Sequence, residues 1–306
     1  MLPERGAPLR GLDRTTFTEQ LRAWGGTAKF GETLARHTTI GVGGQAACYC
    51  LPESPQELAE LIGLCRRYNW PYLLFGAGSN LLFSDRGYPG VVFSTERLRG
   101  IFFEQDSVRV LAGERLVSVL DAVTRVGASS LNFLTGIPGS LGGAIAMNAG
   151  SHSRSIGDLV TEVAIVDNGG GMRILQQEDC QFVYRQSAIL GQGLPVLWAR
   201  LRLDGESYDR EEMLAQRLAS QPVSVRSAGC VFKNPSGVSA GQLIDEARLK
   251  GLQVGMAKVS EKHANFILNL GGATSAEIRK LIDIVRQKVY KSFRVLLELE
   301  IEVIDG

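Results

Sequence analysis

Apolar residues recur along this chain at two spacings, and the switch between them marks out helices and strands. Leu58, Leu61, Ile62 and Cys65 follow Ser54-Pro55-Gln56-Glu57 at helical intervals. Pro stands at the first helical position and Glu at the third, so a helix is predicted to start there, with Cys65 facing the core. Tyr72–Phe75 reads as a short buried strand, Val91–Ser94 and Val108–Ala112 as further strands, and Leu116–Val126 as a second amphipathic helix. Glu162–Val166 and Met172–Leu175 flank Asp167-Asn168-Gly169-Gly170-Gly171, a hairpin signal, and Val196–Leu203 alternates as a strand.

The two ends of the chain carry weaker patterns. Residues 1–33 are polar and read as an N-terminal arm with one helix near Thr15–Trp24. Thr38–Cys50 alternates loosely, a strand interrupted at Gly41, Gly43 and Gly44. Beyond a boundary at about residue 205, the charged stretch 204–216 reads as helix, and Ser227–Pro235 as a glycine-broken turn leading into a short strand. Ala240–Leu249 reads as a helix closed by Lys250-Gly251, and His263–Leu270 as a strand. Thr274 and Glu277 form a capping box for a long helix that carries Ile278, Leu281, Ile282, Val285 and Val289 on one face. The last strand alternates strictly: Val295, Leu297, Leu299, Ile301 and Val303 point one way, Leu296, Glu298, Glu300, Glu302 and Ile304 the other. Three carboxylates on one strand face usually mean a solvated edge. Strands and helices alternating in this way indicate an α/β or α+β protein.

Glycine density singles out Leu131–Gly150, LNFLTGIPGSLGGAIAMNAG, with Gly136, Gly139, Gly142, Gly143 and Gly150. Such density serves either tight turns with positive φ or close approach of backbone N–H groups to an anion such as a phosphate. A second loop, Gly76-Ala77-Gly78-Ser79-Asn80, follows the Tyr72–Phe75 strand and ends in two hydrogen-bonding side chains. It reads equally as a plain strand-to-turn connection. The Rossmann fingerprint is not met, because position 81 is Leu and LLF continues as strand.

Composition narrows the class. Net charge is +1, which argues against a general nucleic-acid or membrane surface. The five cysteines, at 48, 50, 65, 180 and 230, are odd in number and lack framework spacing. Cys48 and Cys50 share one face of a strand, and with only three histidines no metal site is expected. A reducing compartment follows. MLPERGAPLRGLDR has no apolar core of a signal peptide, and no run nears the ~18 apolar residues of a membrane span. A cytoplasmic protein is expected.

The segments TTIGVGGQA, GAGSNLL, FLTGIPGSLGGAIAMNAG, YRQS, AGCVFKNP and LELEIEVI, in this order over roughly residues 34–304, resemble the UDP-N-acetylenolpyruvoylglucosamine reductase (MurB) family. The resemblance implies an α+β fold: a two-part FAD-binding region of the vanillyl-alcohol-oxidase-like (PCMH) type and a C-terminal α/β substrate domain. It places the FAD-binding region at residues 1–205, in lobes of about 1–95 and 96–205, and substrate binding at 206–292. A C-terminal strand at 293–306 carries a catalytic Glu. The implied reaction is reduction of UDP-N-acetylglucosamine enolpyruvate to UDP-N-acetylmuramate. NADPH reduces FAD, hydride passes to C3 of the enolpyruvyl group, and C2 is protonated.

By the same resemblance Arg185 and Glu300 stabilise the enolate and Cys230 donates the proton. An Arg fork suits a carboxylate, and a thiol of ordinary pKa ~8.5 is mostly protonated at neutral pH. Many relatives carry Ser at the position of Cys230. FAD is expected against Gly76, Gly78, Ser79, Asn80, Leu81, Gly136, Ile137, Pro138, Gly139, Ser140, Gly142, Gly143, Asn148, Ala149 and Gly150. Asn234, Lys250 and His263 are expected at the UDP-sugar. The span from Tyr184 to Val196 leaves no room for the tyrosine-bearing insertion found in part of the family, so the chain resembles the shorter type, a monomer or weak oligomer. Gly41 replaces a usual basic residue, and Ser151–Ser155 departs from the family's continuation.

On residue chemistry alone, simpler readings stand beside these. Arg185 amid aromatics reads as a surface residue lying over apolar neighbours. Cys230 reads as a small buried hydrophobe, although Gly229 beside it suggests exposure. His263 reads as a structural imidazole. Two other functions compete: a different flavoenzyme of the same FAD-binding type, such as an alcohol oxidase, and a non-catalytic flavin or nucleotide-sugar module.

Overall fold

The computed structural model describes residues 14–306, so the expected arm before residue 14 lies outside the described residues. The chain forms two compact units. One is built from the chain up to Glu32, Ala46–Ala77 and Pro89–Ala215; the other from Thr33–Gln45, Gly78–Tyr88 and Gln216–Gly306. Two short segments that sequence order sets beside the glycine-rich half thus group with the C-terminal half.

The first unit holds two sheets. One takes the strands Thr27–Phe30, Ala46–Leu51, Tyr88–Ser94 and Tyr72–Phe75 in that spatial order. The predicted strand at Thr38–Cys50 is therefore confined to Ala46–Leu51; its glycine-rich part forms turns. The helix Pro55–Arg67 starts as the sequence dictates, with Ser54 Oγ accepting the Glu57 N–H at 3.1 Å and Pro55 in the first turn. Leu58, Leu61, Ile62 and Cys65 are buried on its inner face against Cys48, Cys50, Val91 and Phe93. The Cys48 and Cys50 sulfurs lie 3.6 Å apart, as two positions on one strand face require.

The second sheet of this unit is five-stranded and antiparallel. Its spatial order is Met172–Gln176, Val160–Val166, Val196–Arg202, Ser107–Leu111 and Ile101–Glu104. The predicted hairpin is present: Asp167 Oδ1 accepts the Gly171 N–H at 3.0 Å and closes the turn. Helices Leu116–Arg125 and Leu141–Ala146 bury Leu116, Val119, Leu120, Leu141 and Ile145 in a core shared with Val108, Val110, Ala199 and Leu201. The charged stretch after 204 becomes helical only from Arg210 to Ser220.

The second unit has an antiparallel sheet ordered Ser227–Cys230, Phe266–Asn269, Ala257–Val259, Gln253–Val254. The helix Ser275–Phe293 packs Ile278, Leu281, Ile282, Val285 and Val289 into its core, and Thr274 and Glu277 cap each other's backbone N–H as predicted. Three expectations fail here for local reasons. The helix starting at Ala240 ends at Glu246, not at Lys250-Gly251. Its stop is Arg248 at φ 56°, with the Arg248 N–H on the Asp245 carbonyl (2.8 Å) and the Leu249 N–H on that of Ile244 (3.1 Å). This is a Schellman turn built without glycine. The strand expected at His263 begins at Phe266, because His263–Asn265 turn back onto Ser260. The last strand spans only Glu302–Ile304, parallel to Leu81–Phe83; before it the chain makes a single bridge, Leu299 to Phe232. Alternation there records burial of Leu297 and Ile301, not a ladder.

Candidate functional site

Arg185 sits at the tip of a two-residue turn. The Val183 and Gln186 N–H groups donate to each other's carbonyls at 3.0 and 3.1 Å. This closure puts Arg185 at φ 55°, a conformation that costs an L-residue about 1–2 kcal/mol. Three side chains offset that cost. Arg185 Nη2 donates to the Gly150 carbonyl at 3.0 Å, Asn148 Nδ2 to that of Val183 at 2.9 Å, and Ser187 Oγ to that of Ala146 at 2.7 Å. The end of the glycine-rich loop and the YRQS segment, separate motifs in the sequence, are one hydrogen-bonded unit. The guanidinium lies 5.1 Å from the Tyr184 ring centroid, so the surface reading of Arg185 holds for part of its side chain.

Asn148, a predicted cofactor contact, has both side-chain groups engaged within the protein, since its Oδ1 also accepts the Gly157 N–H at 3.0 Å. Its φ of 46° suits the residue type that best tolerates a left-handed backbone after glycine. Gly150 is fixed by close approach: a Cβ there would lie 2.0 Å from the Arg154 carbonyl oxygen.

Of the five loop glycines only Gly136 has positive φ, at 75°, so tight turns account for little of the glycine content. What the loops do offer is unpaired backbone. Among the described residues, the N–H groups of Gly136, Gly139 and Ser140 donate to no protein acceptor. The same is true of Gly76 and Ala77 in the first unit and of Gly78 and Ser79 in the second. Gly76 lies against Ser140: a Cβ at 76 would meet Ser140 Oγ at 2.4 Å. Ser140 in turn caps the helix Leu141–Ala146, which carries Gly142 and Gly143. N–H groups without acceptors, reached only where side chains are small, suit a dinucleotide's phosphate and carbonyl oxygens. Each unit, taken by itself, therefore offers backbone donors that fit FAD.

Cys230 ends the strand Ser227–Cys230. Its pairing runs from Ser227 opposite Leu268 to Cys230 opposite Phe266, so one extra residue bulges out, at Gly229 with φ 79°. Bulges re-aim the side chains beside them. Cys230 is half-buried, whereas Cys48, Cys50, Cys65 and Cys180 are buried. Burial pushes the Cys65 thiol up to about 12 and the Cys180 thiol up to about 11.

Glu300 is brought next to Cys230 through backbone. The Glu300 N–H donates to the Val231 carbonyl at 2.8 Å, and the Lys233 N–H to that of Glu298 at 2.9 Å. Asn80, expected at the cofactor, is bonded to this segment: its Nδ2 donates to the Glu300 carbonyl at 3.0 Å, and its own carbonyl accepts the Glu302 N–H at 2.9 Å. Leu81 follows as the first residue of the parallel pair.

The three predicted UDP-sugar contacts all border the helix Ala240–Glu246 of the second unit, His263 lying against Gly241. Asn234 Oδ1 accepts the Ala240 N–H at 3.0 Å, and Lys250 Nζ pairs with Asp245 at 2.5 Å. His263 Nδ1 accepts the Asn265 N–H at 3.3 Å. Burial, helped by Lys250, holds the His263 pKa below its ordinary value.

Sequence reading missed two residues. Asn265 is buried and clamps Phe232 from both sides, Oδ1 taking the N–H at 2.9 Å and Nδ2 reaching the carbonyl at 2.8 Å, while its own carbonyl takes the Val231 N–H. A lone amide inside the apolar run ANFIL was the available signal. Thr39 joins Gly78 to Ser227, with its N–H on one carbonyl (3.0 Å) and its Oγ1 on the other (2.7 Å). Nothing local to it marks that role.

Residues 221–304 match the family profile "UDP-N-acetylenolpyruvoylglucosamine reductase, C-terminal domain", and residues 46–176 match "FAD binding domain". The UDP-N-acetylenolpyruvoylglucosamine reductase of Synechococcus sp. (strain JA-3-3Ab) is 42% identical over 91% of this chain and 92% of its own. That of Heliobacterium modesticaldum is 42% identical over 89% of each. Among solved structures, the enzyme of the same name from Thermus caldophilus superposes with a TM-score of 0.73 at 36% identity, covering 91% of this chain and 98% of that one. A 4-ethylphenol oxidase from Gulosibacter chungangensis, 13% identical with a TM-score of 0.50 over 95% of this chain and 65% of its own, shares the fold alone.

Proposed function

The chain belongs to the UDP-N-acetylenolpyruvoylglucosamine reductase family, and on that footing we propose how its residues divide the work. It is an FAD-dependent oxidoreductase that uses NADPH to reduce UDP-N-acetylglucosamine enolpyruvate to UDP-N-acetylmuramate for peptidoglycan synthesis. Identity of 42% over 91% of the chain carries this conclusion. Bound FAD supplies the hydride, taken from NADPH, that reaches C3 of the enolpyruvyl group.

The open N–H groups of Gly76–Ser79, Gly136, Gly139 and Ser140 hold FAD, with Leu81, Ile137, Pro138, Gly142, Gly143, Asn148, Ala149 and Gly150 shaping their loops. Asn80 contributes from the backbone, its amide being turned to Glu300. Arg185 pairs with the substrate carboxylate and, with Glu300, stabilises the charge that develops there as an enolate. Cys230 gives its thiol proton to C2. The bond between the Glu300 N–H and the Val231 carbonyl supports placing Cys230 and Glu300 side by side as catalytic residues. Asn234, Lys250 and His263 contact the UDP-sugar. Residues 1–205 serve FAD in two lobes, about 1–95 and 96–205; 206–292 serve the substrate; 293–306 carry Glu300. Between Tyr184 and Val196 stand only the turn, the helix Ala188–Gln192 and its Gly193 cap, which supports the shorter family type. No helix among the described residues is long and apolar enough to cross a membrane. We assign the enzyme to the cytoplasm as a monomer or weak oligomer.

The test is one anaerobic absorbance experiment. Purified protein should be yellow, bleach with NADPH, and recolour on addition of the enolpyruvyl substrate. A yellow protein that NADPH cannot bleach would support the non-catalytic module; bleaching without recolouring by this substrate would support another flavoenzyme.

A further inference from the structure

The strand Phe266–Asn269 ends just where the segment after Cys230 needs a partner. Phe266 stands opposite Cys230, and the Asn265 carbonyl takes the Val231 N–H at 2.8 Å. Before Asn265 the chain turns away: the Phe266 N–H donates to the His263 carbonyl at 3.0 Å, and the His263 N–H to Ser260 Oγ at 3.2 Å. Phe232 is left without a backbone partner on this side. Its bridge to Leu299 uses the Val231 carbonyl and the Lys233 N–H, so the N–H and carbonyl of Phe232 itself face the other way. The Asn265 side chain takes both, Oδ1 accepting at 2.9 Å and Nδ2 donating at 2.8 Å. A carboxamide carries the donor and the acceptor of a peptide group, and here it stands in for the strand residue that the turn removed. Phe232 and Asn265 are 1% and 3% exposed, so bulk water does not reach these groups in its place.

We propose that Asn265 is a positioning residue for the proton donor, its amide fixing Cys230 relative to Glu300. The inference rests on the assignment of Cys230 as that donor. Glu300 has anchors that do not involve Asn265: Asn80 Nδ2 holds its carbonyl at 3.0 Å, and Glu302–Ile304 pair with Leu81–Phe83 just beyond it. Cys230 lies two residues before Phe232, on a strand already bulged at Gly229. Without the amide, the N–H and carbonyl of Phe232 would be buried with no partner, and the segment would shift to satisfy them. Cys230 would shift with it, while Glu300 keeps its place.

The test is a double-mutant cycle on the FAD-loaded enzyme: the natural chain, Asn265→Ala, Cys230→Ala and the two together. Bleaching by NADPH, recolouring at saturating substrate and melting temperature are recorded on each. A reacting group misplaced by about 1 Å can cost ~10²-fold in rate. Asn265→Ala should therefore slow recolouring by about ten- to a hundredfold, with bleaching and the substrate concentration for half-maximal recolouring near their natural values. In the Cys230→Ala chain the same change should alter recolouring by less than about twofold, because the donor it positions is gone. Equal slowing in both backgrounds, equal slowing of bleaching, or a natural rate of recolouring with only the melting temperature lowered overturns the proposal and leaves Asn265 a residue of the fold alone. Should the Ala chain not fold, Asn265→Asp goes through the same cycle. It keeps the shape and the acceptor, and its ionised carboxylate has no proton for the Phe232 carbonyl. Failure of the donor assignment looks different: Cys230→Ala alone would recolour at the natural rate, and the proposal would fall with it.

Discussion

The turn bearing Arg185 and the strand end bearing Cys230 are held in place by opposite means. Around Arg185 the fixing bonds come from side chains: Asn148 to Val183, Ser187 to Ala146, and Arg185 itself to Gly150. Around Cys230 they come mostly from backbone: Val231 is bonded to Asn265 on one side and to Glu300 on the other. Side chains add clamps at three points: Asn265 on Phe232, Asn80 on Glu300 and Thr39 on Ser227. The difference separates what mutation can do. A side chain changed near Arg185 should loosen its geometry, whereas Cys230 itself can be changed with its backbone frame left standing.

The largest expected effect lies at that frame. Cys230→Ala removes a proton donor and little volume, so turnover should fall by ~10²–10⁴-fold, the range for general acid catalysis, with FAD content and melting temperature nearly unchanged. Cys230→Ser should keep much of the activity. Full turnover in the Ala chain, with a lowered melting temperature, would make Cys230 a structural thiol like the other four. Alkylation sharpens the contrast. Half-buried Cys230 should react first and be shielded by substrate, while the buried sulfurs of Cys48, Cys50, Cys65 and Cys180 stay unmodified until the protein unfolds.

Arg185→Ala comes next. Removing one donor from a developing oxyanion costs ~10²–10³-fold, and the loss should fall on recolouring by substrate, leaving bleaching by NADPH near normal. Stopped-flow traces of the two half-reactions separate these. Equal slowing of both would return Arg185 to a structural role, since its Gly150 bond would then be what mattered.

A smaller effect should follow from Asn148→Ala. It strips two hydrogen bonds from a buried site and puts Ala at φ 46°, for a stability loss of about 1–3 kcal/mol. Recolouring should slow along with it, because the Arg185 turn loses its anchor at Val183. Unchanged recolouring in a destabilised Asn148→Ala chain would show that the turn holds without side-chain help, and the comparison would lose its first half.

These anchors also mark where the sequence was readable. Capped helices were legible because Ser54 and Thr274 act within one turn of chain, and the 160–176 hairpin because Asp167 closes it locally. The glycine loops, Arg185, Cys230 and Glu300 were legible as motifs. Their joining was not. The Asn148–Val183, Asn80–Glu300 and Thr39–Ser227 bonds span 35, 220 and 188 residues, and no periodicity encodes such distances. The last strand was over-read because alternation reports which face is buried, and here burial runs on through Val295–Ile301 without a ladder.

The smallest expected effect is a pH dependence confined to the Cys230 side. His263 Nδ1 accepts the Asn265 N–H, and only a neutral imidazole can accept there. Burial, with Lys250 adding to it, lowers the His263 pKa in the folded chain. A folded pKa below the unfolded one means the unfolded chain takes the proton first. The stabilisation is therefore whole above the ordinary histidine value of ~6.5 and is lost as pH falls below it. Asn265 carries the clamp on Val231 and Phe232, so this loss should reach the strand that holds Cys230. His263→Gln provides the control, having no titration in this range. The melting-temperature difference between the natural chain and His263→Gln should stay constant from pH 8 to about 7 and shift against the natural chain toward pH 5. With the intrinsic slowing of exchange by acid divided out, the protection factors of the Val231 and Phe232 amides should fall over the same interval, while the Asn148 and Gln186 amides of the Arg185 turn keep theirs. A parallel fall in both places would mean that acid loosens the whole chain and that His263 has no special hold on the Cys230 strand.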